Sequence, residues 1–187
     1  MASITTLRWT GGLAAALLCA APAGASTLII GGGVAKDCAD AALEGRSDNA
    51  SVTTCTLALE TDILDFRDRA RTYVNRGVLQ MRQRNFDGAV GDFNEATKID
   101  PNLGEAYINR GAAYLGSSRY SQALDQIDQG LAMGVKDPQK AYFNRGIAHE
   151  NLGDVTAAYR DYSKAAELDP DWDAPKHELT RFTVKRP

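Results

Sequence analysis

The tripeptide Asn-Arg-Gly recurs three times, at 75–77, 109–111 and 144–146, and each copy opens the same longer pattern. A tyrosine stands two residues before each copy (Tyr73, Tyr107, Tyr142), and an alanine follows each glycine by twelve residues (Ala89, Ala123, Ala158). The period is 34 residues, with one residue inserted after the second copy. A fixed period of this size signals stacked supersecondary units that pool their apolar faces into one core.

Within the first unit the apolar residues return at three- and four-residue steps, which is the helical period. Two helices are expected. The first runs through Gly77 toward Arg82, a polar turn lies near 83–85, and Phe86 to Ile99 forms the second before Pro101 stops it. Small residues at Gly77 and Ala89 are needed because antiparallel helices approach closely only where side chains are short.

The pattern resembles the tetratricopeptide repeat over about residues 70 to 172. Tyr73, Gly77, Ala89, Phe93, Ala96 and Pro101 occupy that family's aromatic, small, small, aromatic, small and proline positions. Tyr142, Gly146, Ala158, Tyr162, Ala165 and Pro170 repeat them. The second unit departs: Ile127 replaces the second aromatic, Gly130 the second alanine, and Val135 stands where proline is expected. Glycine costs roughly 1 kcal/mol against alanine inside a helix, and Gly134 with Pro138 predicts a longer connection into the third unit.

The two ends read differently. In 1–25 Arg8 is the sole charge, 13–18 is apolar and Ala23, Gly24 and Ala25 are small, the pattern of a secretory leader cleaved near Ala25. Its apolar run is too short for a bilayer, which requires about 20 residues. Removal leaves Cys38 and Cys55, expected to form a disulfide in an oxidising compartment, each on a short helix (35–43 and 51–59) of one hairpin. Closing such a loop is worth on the order of 3 kcal/mol. Cys55 and Ala58 echo Phe93 and Ala96, so the hairpin reads as a degenerate cap. A metal or redox role is disfavoured because the spacing is not CxxC and the histidines, His149 and His177, lie elsewhere. At the other end Trp172, Pro175, Leu179 and Phe182 predict a final helix that covers the third unit.

The formal charge is −3, and about −4 once the +1 of Arg8 is subtracted, so neither nucleic acid nor anionic lipid is an expected partner. The arginines at 67, 69, 71, 76, 82 and 84 interleave with Asp62, Asp65 and Asp68, as on a solvated helix. There is no nucleophile elbow, phosphate-cradling glycine loop or histidine pair at metal spacing, so no enzymatic activity and no cofactor are expected.

What remains is a groove. In the family that the repeats resemble, the first helices of successive units line a concave surface that holds a peptide, and the asparagine of each copy points into it. The resemblance thus implies an amide ladder of Asn75, Asn109 and Asn144, whose carboxamides both donate and accept hydrogen bonds. Val74, Ile108 and Phe143 precede the amides as an apolar floor, Val78, Ala112 and Ile147 follow, and Arg71, Glu105 and Lys140 stand at the entrance. Val74 occupies the place of the lysine that the family's chaperone-tail receptors use to grip a carboxylate. A ligand with apolar content, anchored by Phe143, is therefore expected. Arg76 and Arg145 are expected to pair with Asp92 and Asp161 sixteen residues on, with Gln126 as the neutral counterpart for Arg110.

The fold class expected is all-α: a right-handed α-solenoid of antiparallel helix pairs. It comprises a leader (1–25), a disulfide-stapled hairpin (26–61), a repeat array (62–172, units about 70–103, 104–138 and 139–172) and a C-terminal capping helix and tail (173–187). The function expected is a periplasmic or secreted, non-enzymatic module that binds a protein or peptide of unknown identity, with no stable membrane insertion after leader removal. The alternative is a self-assembling envelope protein that oligomerises through the repeats or the capping helix.

Overall fold

The computed structural model describes the backbone of Thr6–Trp9 and of 33–185. The expected leader otherwise lies outside the described residues, as do Cys19 and the expected cleavage site. Among the described residues nine helices follow one another as four antiparallel hairpins and a closing helix. The hairpins are α1 (Val34–Leu43) with α2 (Asn49–Thr61), α3 (Phe66–Arg82) with α4 (Phe86–Ile99), α5 (Gly104–Gly116) with α6 (Tyr120–Ala132), and α7 (Gln139–Asn151) with α8 (Val155–Leu168). Helix α9 (Asp173–Leu179) closes the stack. The chain is an α-solenoid.

Local chemistry sets the boundaries. Asp48, Asp65, Asn85 and Asp154 cap α2, α3, α4 and α8, each side chain accepting from the backbone N–H three residues on. Each repeat hairpin closes where its glycine faces a large side chain. A Cβ on Gly77 would stand 2.7 Å from the Phe93 ring, and one on Gly146 2.8 Å from that of Tyr162. In the middle unit Ile127 takes the aromatic's place, 2.5 Å from where a Cβ of Gly111 would be.

Gly130 has a positive reason for being glycine. Its missing Cβ would lie 2.5 Å from Ile108 Cγ1 and 2.9 Å from the Gly104 carbonyl oxygen. The propensity cost in α6 is therefore exchanged for close approach of α5. The connection after α6 then turns through Gly134, at φ +74°.

Cys38 and Cys55 are disulfide-bonded and 17 residues apart. Their bond stands, in the first hairpin, where the other three close with a glycine facing a large side chain. The register is fixed independently: Arg76 reaches Thr56, next to Cys55, as Arg110 reaches Asn94, next to Phe93. The cysteines pack with Ala42, Val52 and Leu79. Lys36, Asp37, Asp40 and Glu44 lie along α1 and its C-terminal end at exposed or partly exposed positions.

At the other end, within the segment expected as a capping helix and tail (173–187), the helix is α9 (Asp173–Leu179). It stops at Leu179, and β2 (Phe182–Lys185) pairs antiparallel with β1 (Thr6–Trp9), Trp9 opposite Phe182. Thr180 and Arg181 turn the chain, and Phe182 is drawn edge-on toward Tyr159 and Tyr162 (5.7 and 6.0 Å). Trp172, Leu179 and Phe182 pack against the third repeat's core. The ribbon's β1 falls inside the expected leader.

Candidate functional site: the inner wall

The odd-numbered helices α1, α3, α5 and α7 approach one another, whereas the even-numbered ones do so at most marginally. A stack whose first helices touch and whose second helices diverge curves toward the first helices. That side is the inner wall.

Asn75, Asn109 and Asn144 sit on α3, α5 and α7 at equivalent positions, and all are sunk into the wall at 3, 5 and 3 % exposure. The Nδ2 groups of Asn75 and Asn144 are buried with no hydrogen-bond acceptor. Leaving such a donor unmet costs about 1–3 kcal/mol, and packing alone gives no return on it. Ile108, Ala112 and Ile147 are partly exposed on the same helices, and so are Arg71, Glu105 and Lys140. Arg71 lies 3.6 Å from Asp68. Among the described residues Glu105 has no ion-pair partner.

Three expected floor residues, Val74, Val78 and Phe143, are not available as such. Val74 and Val78 are both buried in the cluster that includes Met81 and Phe93, on the core side of α3. Phe143, expected as the anchor, is 2 % exposed, with Tyr162 and Trp172 at 5.5 and 4.9 Å between ring centroids. The ring serves the C-terminal cap instead, because Trp172 covers the face that a ligand would have used. The open part of the wall is therefore the middle of the array.

The arginines form a second ladder. Arg76 donates to both carboxylate oxygens of Asp92 (2.9 and 2.7 Å) and Arg145 to both of Asp161 (2.8 and 2.8 Å). Arg110 donates through Nε to Gln126 at 2.8 Å. Each guanidinium also reaches back to the preceding hairpin: Arg76 to Thr56 (3.0 Å), Arg110 to Asn94 (2.7 Å) and Arg145 to Asp128 (2.6 Å). Each lies over the tyrosine three residues before it, at 5.5, 4.9 and 5.2 Å from the centroid. One side chain per unit thus ties two hairpins together.

Electrostatics follow the partners. The hydrogen bonds it donates to Asp92 hold Arg76 above its ordinary value against the effect of burial, and those donated to Asp161 do the same for Arg145. Burial pushes Asp92 upward while Arg76 pulls it down; with two short charged hydrogen bonds, the ionised pair is the state that this geometry holds. Burial lowers Arg110, which has no carboxylate beside it.

Sequence reasoning missed the backward contacts to Thr56, Asn94 and Asp128. Their signal was a polar residue directly after each of Cys55, Phe93 and Ile127. It also missed the network in which Glu150 accepts from Tyr162 Oη (2.8 Å) and Arg181 Nη2 (2.6 Å), with Arg181 2.5 Å from Glu178. No local pattern links those residues. Among the described residues no cluster could hold a metal ion, and no helix is long and apolar enough to cross a membrane.

Residues 70–103 and 140–171 each match the tetratricopeptide repeat. The chain contains tetratricopeptide repeats. It is similar to tetratricopeptide repeat protein 28 of Mus musculus, 35% identical over 85 residues, which are 46% of this chain and 3% of that one. It is also similar to the Hsp70-Hsp90 organizing protein of Triticum aestivum, 36% identical over 85 residues, 46% of this chain and 14% of that one. The chain thus spans a small part of these relatives. Among solved structures, the Arabidopsis OM64 TPR domain superposes with TM-score 0.60 at 26% identity, over 63% of this chain and 96% of that domain. The first TPR of Spaghetti (RPAP3), bound to HSP90 peptide SRMEEVD, superposes with TM-score 0.58 at 24% identity, over 61% and 90%, a likeness of fold. Between the two matched segments lies the middle hairpin, α5 with α6, with Ile127 and Gly130 in α6.

Proposed function

We propose that this chain is a non-enzymatic protein-interaction module that holds a peptide or protein segment along its inner wall, in the bacterial envelope. The observation that carries the reading is the pair of acceptorless amide donors, Asn75 and Asn144, at equivalent places on a wall that curves inward. A ligand backbone carbonyl is the natural acceptor for such a donor, once the amide turns outward. A peptide-bound TPR domain of the same fold, that of RPAP3, supports the reading.

The chemistry of the open section selects the ligand. Ala112 and Ile147 offer apolar contact, Ile108 being held against Gly130 of α6, and Glu105 offers a carboxylate, so the segment is apolar and not strongly acidic. The envelope setting rests on the leader-like 1–25 and on the Cys38–Cys55 disulfide, which belongs in an oxidising compartment. Affinity capture from envelope extracts tests the proposal: wild type should retain a polypeptide that Asn109→Ala loses, at unchanged melting temperature. Equal retention by both would contradict it.

A further inference from the structure

Helix α1 is attached weakly except at one point. Its buried residues are Ala35, Cys38, Ala39, Ala41 and Ala42, so apart from the cysteine each contributes a single methyl group. It has ten residues and no side-chain N-cap, too short to hold itself helical in water. Hydrogen bonds that reach it and the turn after it include Ala35 N–H to Asp62 Oδ2 (2.8 Å), Arg82 to the Ala42 and Arg46 carbonyls (2.8 and 3.4 Å) and Gln83 to that of Ser47 (3.1 Å).

Helix α2 is anchored separately. Asp48 caps it, Arg76 donates to Thr56 (3.0 Å) and Arg69 to the Leu59 carbonyl (3.0 Å), so both of the latter ties come from α3. Beneath α1 lies Leu79, fully buried against Cys38, Ala42 and Cys55.

We propose that the Cys38–Cys55 bond is an oxidation-dependent latch: closed, it holds α1 over Leu79; open, α1 leaves while the rest of the array stays folded. Opening requires a dithiol reductant. One of its thiolates attacks a cysteine sulfur to give a mixed disulfide, and the second displaces the remaining cysteine. Two electrons and two protons pass to Cys38 and Cys55, and the reductant becomes a disulfide. Both sulfurs are buried, so attack follows a transient lifting of α1, and the latch opens slowly. Release uncovers Leu79 and Val52, apolar surface that packs against Cys38 and Ala42 in the closed form. The latch does not depend on what the inner wall binds.

Hydrogen exchange read by mass spectrometry tests it on the full chain carrying Cys19→Ser, so that one cysteine pair remains. Cys38→Ala with Cys55→Ala adds no bulk and matches the other buried residues of α1. Exchange in 34–43 should rise about a hundredfold over the oxidised form, the scale of a loop closure of this length. Residues 104–168 should keep their protection. Reduction of the cysteine-bearing chain by a dithiol should reproduce the pattern. Equal protection of 34–43 in all forms, or loss of protection across 104–168 as well, would overturn the latch.

Discussion

Arg110 donates to Gln126 at the place where Arg76 and Arg145 each grip an aspartate. The middle unit is therefore the one rung in which the half-buried guanidinium meets only neutral partners, Gln126, Asn94 and Thr97. Gln126→Asp supplies the missing carboxylate in the geometry of the flanking units. It should raise the unfolding free energy by about 0.5–1 kcal/mol at low salt and less at high salt, because the pair is partly screened. Urea denaturation at two ionic strengths measures it.

Gly130→Ala should run against helix propensity. Alanine would gain roughly 1 kcal/mol in an open helix, but its Cβ would meet Ile108 and the Gly104 carbonyl at distances that require α5 and α6 to separate. A net loss of about 1–2 kcal/mol is expected, read as a lower denaturation midpoint.

Ser118→Gly should stabilise. Ser118 and Arg84 turn from the first to the second helix of their hairpins at φ 60° and 62°, and Gly153 makes the same turn in the third repeat at φ +85°. A non-glycine residue in the left-handed region is strained by about 1 kcal/mol, and part of that strain is the expected gain in thermal unfolding.

Alkaline stability should depend on Tyr162. Burial, then the Glu150 carboxylate, push its phenol far above the ordinary value near 10. Above that pH the unfolded chain ionises while the folded one keeps its proton. The folded state binds more protons, and its stability falls with rising pH by about 1.4 kcal/mol per unit. Tyr162→Phe should be less stable at neutral pH, having lost the bond to Glu150, and should lack this part of the alkaline slope. Denaturant titrations between pH 8 and 11 compare the two.

The fold was legible in the sequence because each unit repeats its small and aromatic residues in register, Gly77 and Ala89 with Phe93 in the first and Gly146 and Ala158 with Tyr162 in the third; that each ring faces its glycine is decided by packing. The carboxylates sixteen residues after Arg76 and Arg145 were legible for the same reason. The site was less so. Val74 and Phe143 occupy wall positions by register, yet Val74 joins the core around Phe93 and Phe143 is covered by Trp172, outcomes decided by packing between units. The β2 turn at Thr180 was hidden because Pro175 and the basic residues beyond it read equally well as a longer helix.

Whether the open middle of the inner wall holds another polypeptide is read by site-specific photo-crosslinking in envelope extracts. A photoreactive benzoylphenylalanine at position 112, on α5, should become joined to a discrete partner polypeptide. The same group at position 91, exposed on α4, should not. Joining at 91 and none at 112 would place the binding surface on the outer helices and contradict the account.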